Sequence, residues 1–417
     1  MKQRMAWAVL GIILFSGVAR ADMASVIADG SRSAKPRYLV AFKQGVSDAD
    51  KSAALAQMGM AASESLEDFG AVVAEAQPGK ARVGVAAAGV AAALKADPNV
   101  AWVEEDKVWP HMFADMPVAF SQVPFPAFNQ VMAGLQKVEM PAQTEGELPW
   151  GIRRVNAPAA WEQTQGQGVR VAVIDTGIDY THPDLAANYA GGYNAVDPKK
   201  PPLDDNGHGS HVAGTIAAVK DGKGVVGVAP KARLYAVKVL DAEGNGSLSA
   251  IVKGLIWCGN HHMQVANMSL GAPQNMVFMR WAVAYASLRG VTVVAAAGNE
   301  GGPVSYPGAY PEVITVTAAD SRDKIAEWSS RGKEVDFIAP GVDVQSDAPG
   351  GGLQTMSGTS MATPHVAGLA ALAVSQGAGS PAQVRKALSA AATKLDGLSW
   401  DEQGYGMIDA GKLLRKK

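Results

Sequence analysis

Six short apolar runs recur between residue 169 and residue 339 and dominate what this chain can fold into. They are VRVAVI at 169–174, LYAVKV at 234–239, VANMSL at 265–270, VTVVAA at 291–296, VITVT at 313–317 and VDFIA at 335–339. Each has the length of a strand and is bounded by turn residues or charges. Stretches with helical patterning, 208–219, 248–262 and 276–288, lie between them. Near-continuous apolar strands alternating with helices require cover on both faces, which predicts an α/β fold with a mostly parallel sheet between two helix layers. In such a sheet, chemically active groups gather at the carboxyl ends of the strands.

Ahead of this region the texture differs. Residues 37–42 (RYLVAF), 70–75 (GAVVAE) and 100–104 (VAWVE) read as strands, and 48–58 and 83–96 read as helices. That alternation predicts a small independent α+β unit over 36–107. Residues 108–148 carry prolines and large apolar side chains without steady periodicity, which marks a linker more apolar than a solvated one should be. A larger unit is expected over 149–417.

The first residues form a targeting signal: Lys2 and Arg4, an apolar core from residue 6 to 18, then the small-x-small site Ala19-Arg20-Ala21. Export of a soluble chain without a membrane anchor is expected, with 1–21 removed. The one cysteine, Cys258, cannot pair within the chain and reads as a buried small hydrophobe in a helix. A net charge of −2 gives no bulk attraction for nucleic acid, and none is expected as a partner.

Four positions carry chemistry. Ser360, in Gly358-Thr359-Ser360-Met361-Ala362-Thr363-Pro364-His365, is predicted at a helix N-terminus, where backbone N–H groups and the dipole favour an oxyanion. An N-cap role is the plainer reading of the same serine. Asp175 follows the run VAVI and stands at the end of a buried strand, where its carboxylate needs partners. His208 stands between Gly207 and Gly209 at a helix entrance and is the candidate base; His211 falls one turn inward, on a face that packs on the core. Asn299, in Ala297-Gly298-Asn299-Glu300-Gly301, ends another run and offers an amide donor.

The stretches AVIDTGIDYTHPDL, NGHGSHVAGTIAA, AAAGNEG and GTSMATPHVAGLAAL closely resemble the subtilisin-like serine proteases, over roughly 149–414. The chain order Asp…His…Ser is the one known from subtilisin. This resemblance implies a mostly parallel seven-stranded sheet with helices on both faces. It implies Ser360 as nucleophile, His208 as base, Asp175 as the residue orienting the imidazole, and Asn299 in the oxyanion hole. It further implies a peptide cleft between Ser269-Leu270-Gly271 and Gly244-Asn245-Gly246, with Ala296, Ala297 and Gly298 as a pocket wall. Leu248 and Ile251 would line a distant apolar subsite, so large apolar side chains before the cut bond are expected, and Glu300 would admit a lysine.

Residues 219–225 resemble the family's calcium loop, with Asp184, Asp221 and the carbonyls of Val219, Lys223 and Val225 as ligands. The position that supplies a glutamine in many relatives is Gly146, with Gln143, Glu145 or Glu147 as substitutes. A weaker cation site would lie near Gly308, Tyr310, Val313 and Asp336. RYLVAFKQGVSD and NVAWVEED resemble the family's inhibitory pro-domain, two helices on a four-stranded (ferredoxin-like) sheet, which would chaperone and inhibit its own enzyme. The implied product is a monomeric, exported, self-processing endopeptidase acting on proteins or peptides. A processing protease with narrow targets, or a catalytically silent binding protein, are the alternatives.

Overall fold

The computed structural model describes residues 36–77, 87–109 and 147–413. The expected signal segment, residues 83–86 of the second helix, Gln143, Glu145 and most of 108–148 lie outside the described residues. The chain divides into two compact units, with the boundary between Asp106 and Lys107.

The first unit runs β1 (Arg37–Phe42), α1 (Asp48–Gln57), β2 (Met60–Leu66), β3 (Ala71–Ala76), α2 (Ala87–Ala96) and β4 (Val100–Glu105). Its antiparallel sheet has the order β2-β3-β1-β4. Central β1 is buried along nearly its whole length, and Tyr38, Val40, Leu55, Leu94 and Val103 form the core. Ser47 caps α1 by accepting from the Asp50 N–H, which stops its first turn from fraying. Direct reading of the sequence passes over β2, because MAASESL is an edge strand whose middle is polar and exposed.

The second unit contains β5 (Val108–Trp109), β6 (Arg170–Asp175), β7 (Tyr189–Asn194), α3 (His208–Ala217), β8 (Arg233–Lys238), β9 (Gly246–Ser247) and α4 (Leu248–Asn260). It continues through β10 (Val265–Met268), α5 (Val277–Leu288), β11 (Thr292–Ala296), β12 (Ile314–Ala319) and β13 (Phe337–Pro340). The hairpin β14 (Val344–Ala348) and β15 (Gly352–Met356) precedes α6 (Thr359–Ser375) and α7 (Pro381–Ala391). Seven strands pair in the order β13-β12-β11-β10-β6-β8-β7, every pair parallel. The six apolar runs correspond to six of them. The seventh, β7, is YAGGYN, a half-exposed edge strand with two glycines and no apolar pattern to read.

This topology places the chemistry. β6 comes first in the large sheet yet lies inside it; the chain builds β7 and β8 on one side and then crosses to build β10 to β13 on the other. Strand order therefore reverses at β6, which opens a crevice at its carboxyl end, where Asp175 stands. Val171 and Val173 face the cluster holding Val212 and Ile216 of α3, while the alternate residue Ile174 faces α4. Helices thus cover both faces of β6. Gly209 in α3 lets the helix approach the turn after β6, since a Cβ there would lie 2.1 Å from the Gly177 carbonyl oxygen.

α6 is buried from Thr359 to Ala373. Its Pro364 has no N–H, so the Ser360 carbonyl loses its intrahelical donor. The Ser269 hydroxyl supplies one instead, at 2.7 Å. His365 in the same helix is fully buried, donating from Nδ1 to the Met361 carbonyl. Burial is the main cause that pushes His365 down to about 4 and His211, bonded to the Val344 carbonyl, down to about 3. An unfolded histidine takes its proton near 6.5, so below that pH the unfolded chain binds more protons and stability falls as pH falls. Between pH 7 and pH 5 His365 alone should withdraw about 2 kcal/mol. Urea unfolding of the Ser360→Ala protein and its His365→Gln derivative checks this: the derivative should lose about 2 kcal/mol less over that interval. Equal losses in the two proteins would mean that His365 is not held neutral.

Cys258 is buried in α4 and its thiol is pushed up by desolvation, which makes it an inert core residue.

Candidate active site

Asp175 and His208 meet at the crevice. His208 Nδ1 donates to Asp175 Oδ1 at 2.7 Å, and the Thr176 N–H donates to the same oxygen at 2.7 Å. Both side chains are completely buried. Burial pushes the Asp175 carboxyl up, with the facing imidazole and the Thr176 N–H working against that shift. With Nδ1 keeping its proton and donating it to the carboxylate, the ring carries its lone pair on Nε2.

A second set of contacts fixes the pair. Thr176 Oγ1 donates to Asp204 Oδ1 and accepts the Gly209 N–H. Asp204 also accepts from the N–H groups of Asn206, Gly207 and Ser210 and from Ser210 Oγ. Lys238, at the end of β8, donates to the Thr176 and Leu240 carbonyls and to Asp205. The turn that carries Asp175 and the entrance of α3 are thereby tied into one polar network.

Ser360 is the second residue of α6; the N-cap position belongs to Gly358. The N-cap reading of Ser360 is therefore incorrect. Its Oγ donates to the Ser269 carbonyl at 3.2 Å, opposite the Ser269 hydroxyl that donates to the Ser360 carbonyl. Asn299 is joined to the same helix end. Its Oδ1 accepts from the Thr359 N–H and the Thr359 hydroxyl, each at 2.9 Å, which turns the amide so that Nδ2 is at the opposite end. Gly298 donates its N–H to Thr359 Oγ1 as well. The amide orientation thus follows from Thr359, a residue not singled out from the sequence.

The residues expected to line a peptide cleft fall in two segments. Ser269 and Leu270 are buried, and Ala272, just past Gly271, pairs with Tyr306 through two backbone bonds. The end of segment 299–306 thus closes directly on residue 272. In the other segment, Gly246 and Ser247 pair antiparallel with Trp109 and Val108, and the Leu248 N–H donates to the Lys107 carbonyl. Asn245 and Gly244 form a turn held by Asp241. Leu248 and Ile251 are buried, and Ala296 is 4% exposed beside Gly298. Ala297, just past the end of β11, packs with Val304 and Val335. Glu300 accepts the Asn299 N–H.

The residues expected to hold calcium are adjacent. The Val219 N–H donates to the Asp184 carbonyl and the Val225 N–H to Asp184 Oδ2, while the Lys223 N–H donates to Asp221 Oδ1. Glu147 joins them by accepting the Gly222 N–H. The weaker cation site is different. Arg385 donates to Asp336 and to the Val313 carbonyl, and Thr315 Oγ1 donates to the Gly308 carbonyl. A guanidinium and a hydroxyl use the oxygens that a cation would need, so that expectation does not hold.

Among the residues missed from sequence, Pro364 carried a usable signal: a proline four residues after a serine in a helix frees the serine's carbonyl. Thr359, Thr176 and Asp204 carried none, since their roles depend on contacts across the fold.

A buried Asp–His pair, a serine at a buried helix entrance and an oriented amide, all at one end of a parallel sheet, define a serine hydrolase of α/β architecture. Comparison with known sequences gives the family. The profile described as Subtilase family matches residues 166–406. Subtilisin Savinase of Lederbergia lenta is 50% identical over 266 residues, covering 63% of this chain and 97% of that protein. The alkaline protease of Shouchella clausii is also 50% identical over 266 residues, covering 63% of this chain and 69% of that protein. Subtilisin E of Bacillus subtilis (strain 168) is 39% identical over 396 residues, 92% of each chain. This chain belongs to the subtilase family and is a serine endopeptidase.

Proposed function

We propose that the protein is an exported endopeptidase made as a self-processing zymogen, with Ser360, His208, Asp175 and Asn299 as its catalytic machinery. The observation that carries this reading is the 2.7 Å contact between His208 Nδ1 and Asp175, made at the strand-order reversal of the sheet, with Ser360 at the head of α6 bonded to the Ser269 carbonyl just past the carboxyl end of β10. In this reading His208 Nε2 takes the Ser360 proton as Oγ attacks the scissile carbonyl, then returns it to the leaving amine. Asp175 holds the tautomer and stabilises the imidazolium. The oxyanion is bound by Asn299 Nδ2 and the Ser360 N–H.

Substrate would add as an extended strand at Gly244–Gly246 and Ser269–Gly271, by main-chain bonds that give little side-chain selectivity. The antiparallel pairing of Val108–Trp109 with β9 is the model for that binding mode and supports the zymogen reading, since the segment just after residue 107 lies where a substrate strand would. Small residues at Ala296 and Gly298 favour large apolar side chains before the cut bond. Removal of 1–21 would precede cleavage within 108–148, leaving 149–417 as the enzyme and 36–107 as its inhibitor.

The loop 219–225 would hold calcium through Asp184, Asp221, Glu147 and backbone carbonyls, which are hard oxygen donors. Lys220 weakens the loop less than its charge implies, because its Nζ lies over the Trp161 ring, 5.9 Å from the centroid.

Asn299→Ala should lower kcat by about 10²–10³ with little change in KM, a magnitude known from subtilisin itself and not obtained from these distances. Steady-state kinetics on a chromogenic peptide reads it, and a loss confined to KM would assign Asn299 to ground-state binding. The zymogen reading is tested by intact mass of wild type beside Ser360→Ala, with casein as substrate. Wild type should shed an N-terminal fragment and cut casein at many sites, while the variant stays near full length after signal removal. Identical processing of both would transfer maturation to another protease, and cleavage of casein at one or two bonds would favour the narrow processing enzyme.

A further inference from the structure

A cavity of about 470 Å³ opens at the end of the large sheet opposite to Asp175. Thr292 and Ile314, which line it, are the first residues of β11 and β12, whereas Asp175 is the last residue of β6 in the same parallel sheet. Residues 311–312, α7 and Tyr405 complete the lining. The Tyr405 ring is braced by Phe337 and Trp400, with centroids 5.8 and 5.1 Å away. Glu312 is the group in this cavity that calls for a ligand. Its Oε2 is buried and has no hydrogen-bond partner among the described residues. Arg385, in the same lining, directs its guanidinium to Asp336 and to the Pro311 and Val313 carbonyls. Lys386 lines the cavity as well and leaves Glu312 Oε2 unpartnered. A buried carboxylate oxygen is costly until something donates to it.

We propose that this cavity binds a small zwitterion with an apolar side chain, an α-amino acid, its ammonium on Glu312 and its carboxylate on Lys386. The charges select the class. A simple anion would meet the Glu312 carboxylate, and a simple amine would be held beside the cations of Lys386 and Arg385. A zwitterion offers each wall the opposite charge, in charge-assisted hydrogen bonds. The rest of the lining, with Pro311, Ile314, Pro381 and the Tyr405 ring, suits a hydrocarbon or aromatic side chain. The volume falls within the range of small-molecule sites, about 300–1,000 Å³. Arg385 bonds the carbonyls on either side of Glu312, which holds that stretch of backbone and preorganises the carboxylate.

The cavity lies at the other end of the sheet from Asp175, so its failure would leave the protease reading untouched. The test is calorimetric titration of the full chain carrying Ser360→Ala with L-phenylalanine, phenethylamine and 3-phenylpropanoate. L-Phenylalanine should bind with a Kd of about 1 mM or below, and each singly charged analogue at least about tenfold more weakly. Glu312→Gln and Lys386→Met should each weaken L-phenylalanine binding by about tenfold or more. Binding unchanged in either variant overturns the proposal, and binding that survives Glu312→Gln has its place elsewhere, the peptide cleft included. Equal binding of either analogue, or no binding of L-phenylalanine up to about 10 mM, overturns it too. Thermal melting without ligand separates a binding role from a structural one. Glu312→Gln removes an uncompensated charge and should melt at the parent's temperature or above it. A fall of more than about 4 °C would make Glu312 a structural residue and overturn the site.

Discussion

Ser360→Ala is expected to lower kcat on a chromogenic peptide by about a millionfold, His208→Ala by a similar factor, and the double variant no further. The size of the single effect is known from subtilisin; the geometry supplies the reason for non-additivity. A serine hydroxyl is a weak nucleophile until a base takes its proton, and an imidazole at this position has no role once the hydroxyl is gone. Each substitution therefore removes the same pathway. What remains, roughly 10³–10⁴ over water, comes from binding and the oxyanion site, which neither change touches. The variants are matured in trans with immobilised wild-type enzyme before assay. A double variant far worse than either single one would mean that the two residues act independently, and His208 would then not be the base for Ser360. Retention of most activity by His208→Ala would return the role to another group.

Asp175→Asn should cost about 10⁴ in kcat at neutral pH while leaving KM and the melting temperature near their original values. One carboxylate oxygen is responsible. Asp175 Oδ1 accepts from His208 Nδ1 at 2.7 Å and from the Thr176 N–H at the same distance. Asparagine is isosteric but uncharged: with its oxygen at the Oδ1 position it keeps both contacts yet no longer balances the imidazolium that forms when His208 takes a proton. With the amide turned the other way its NH₂ faces Nδ1 and can only donate, which forces the ring proton onto Nε2. A ring protonated there has no lone pair for the Ser360 proton. Kinetics and thermal melting together separate the roles. A loss under about tenfold would make Asp175 a packing residue, and a large drop in melting temperature would assign the loss to a damaged fold.

Much of the sheet is readable from residue order because its strands are buried on both faces and therefore nearly all apolar. β6, β10, β11, β12 and β13 stand within one or two residues of the runs that announce them. Edge strands β2 and β7 carry no such pattern, since water satisfies one of their faces and selects polar or small residues there. The four motif residues were also visible, each at the end of a run or in a glycine-flanked turn. Their supports were not. Thr359 orienting Asn299, Ser269 relieving the carbonyl freed by Pro364, and Asp204 holding Thr176 are all pairs between segments distant in sequence.

Residue order alone specifies the class of sheet, the small α+β unit before it, and the identities of an acid, a base, a hydroxyl and an amide, because burial and backbone geometry restrict which residue types can occupy those positions. The tertiary structure decided which groups share an environment. It gave the cation-like position at Asp336 to Arg385, packed Ala297 with Val304 and Val335, and brought buried Asp347 against Asp184. Such outcomes depend on distances of a few ångströms between chain segments, and electrostatic and hydrogen-bond energies change steeply over that range.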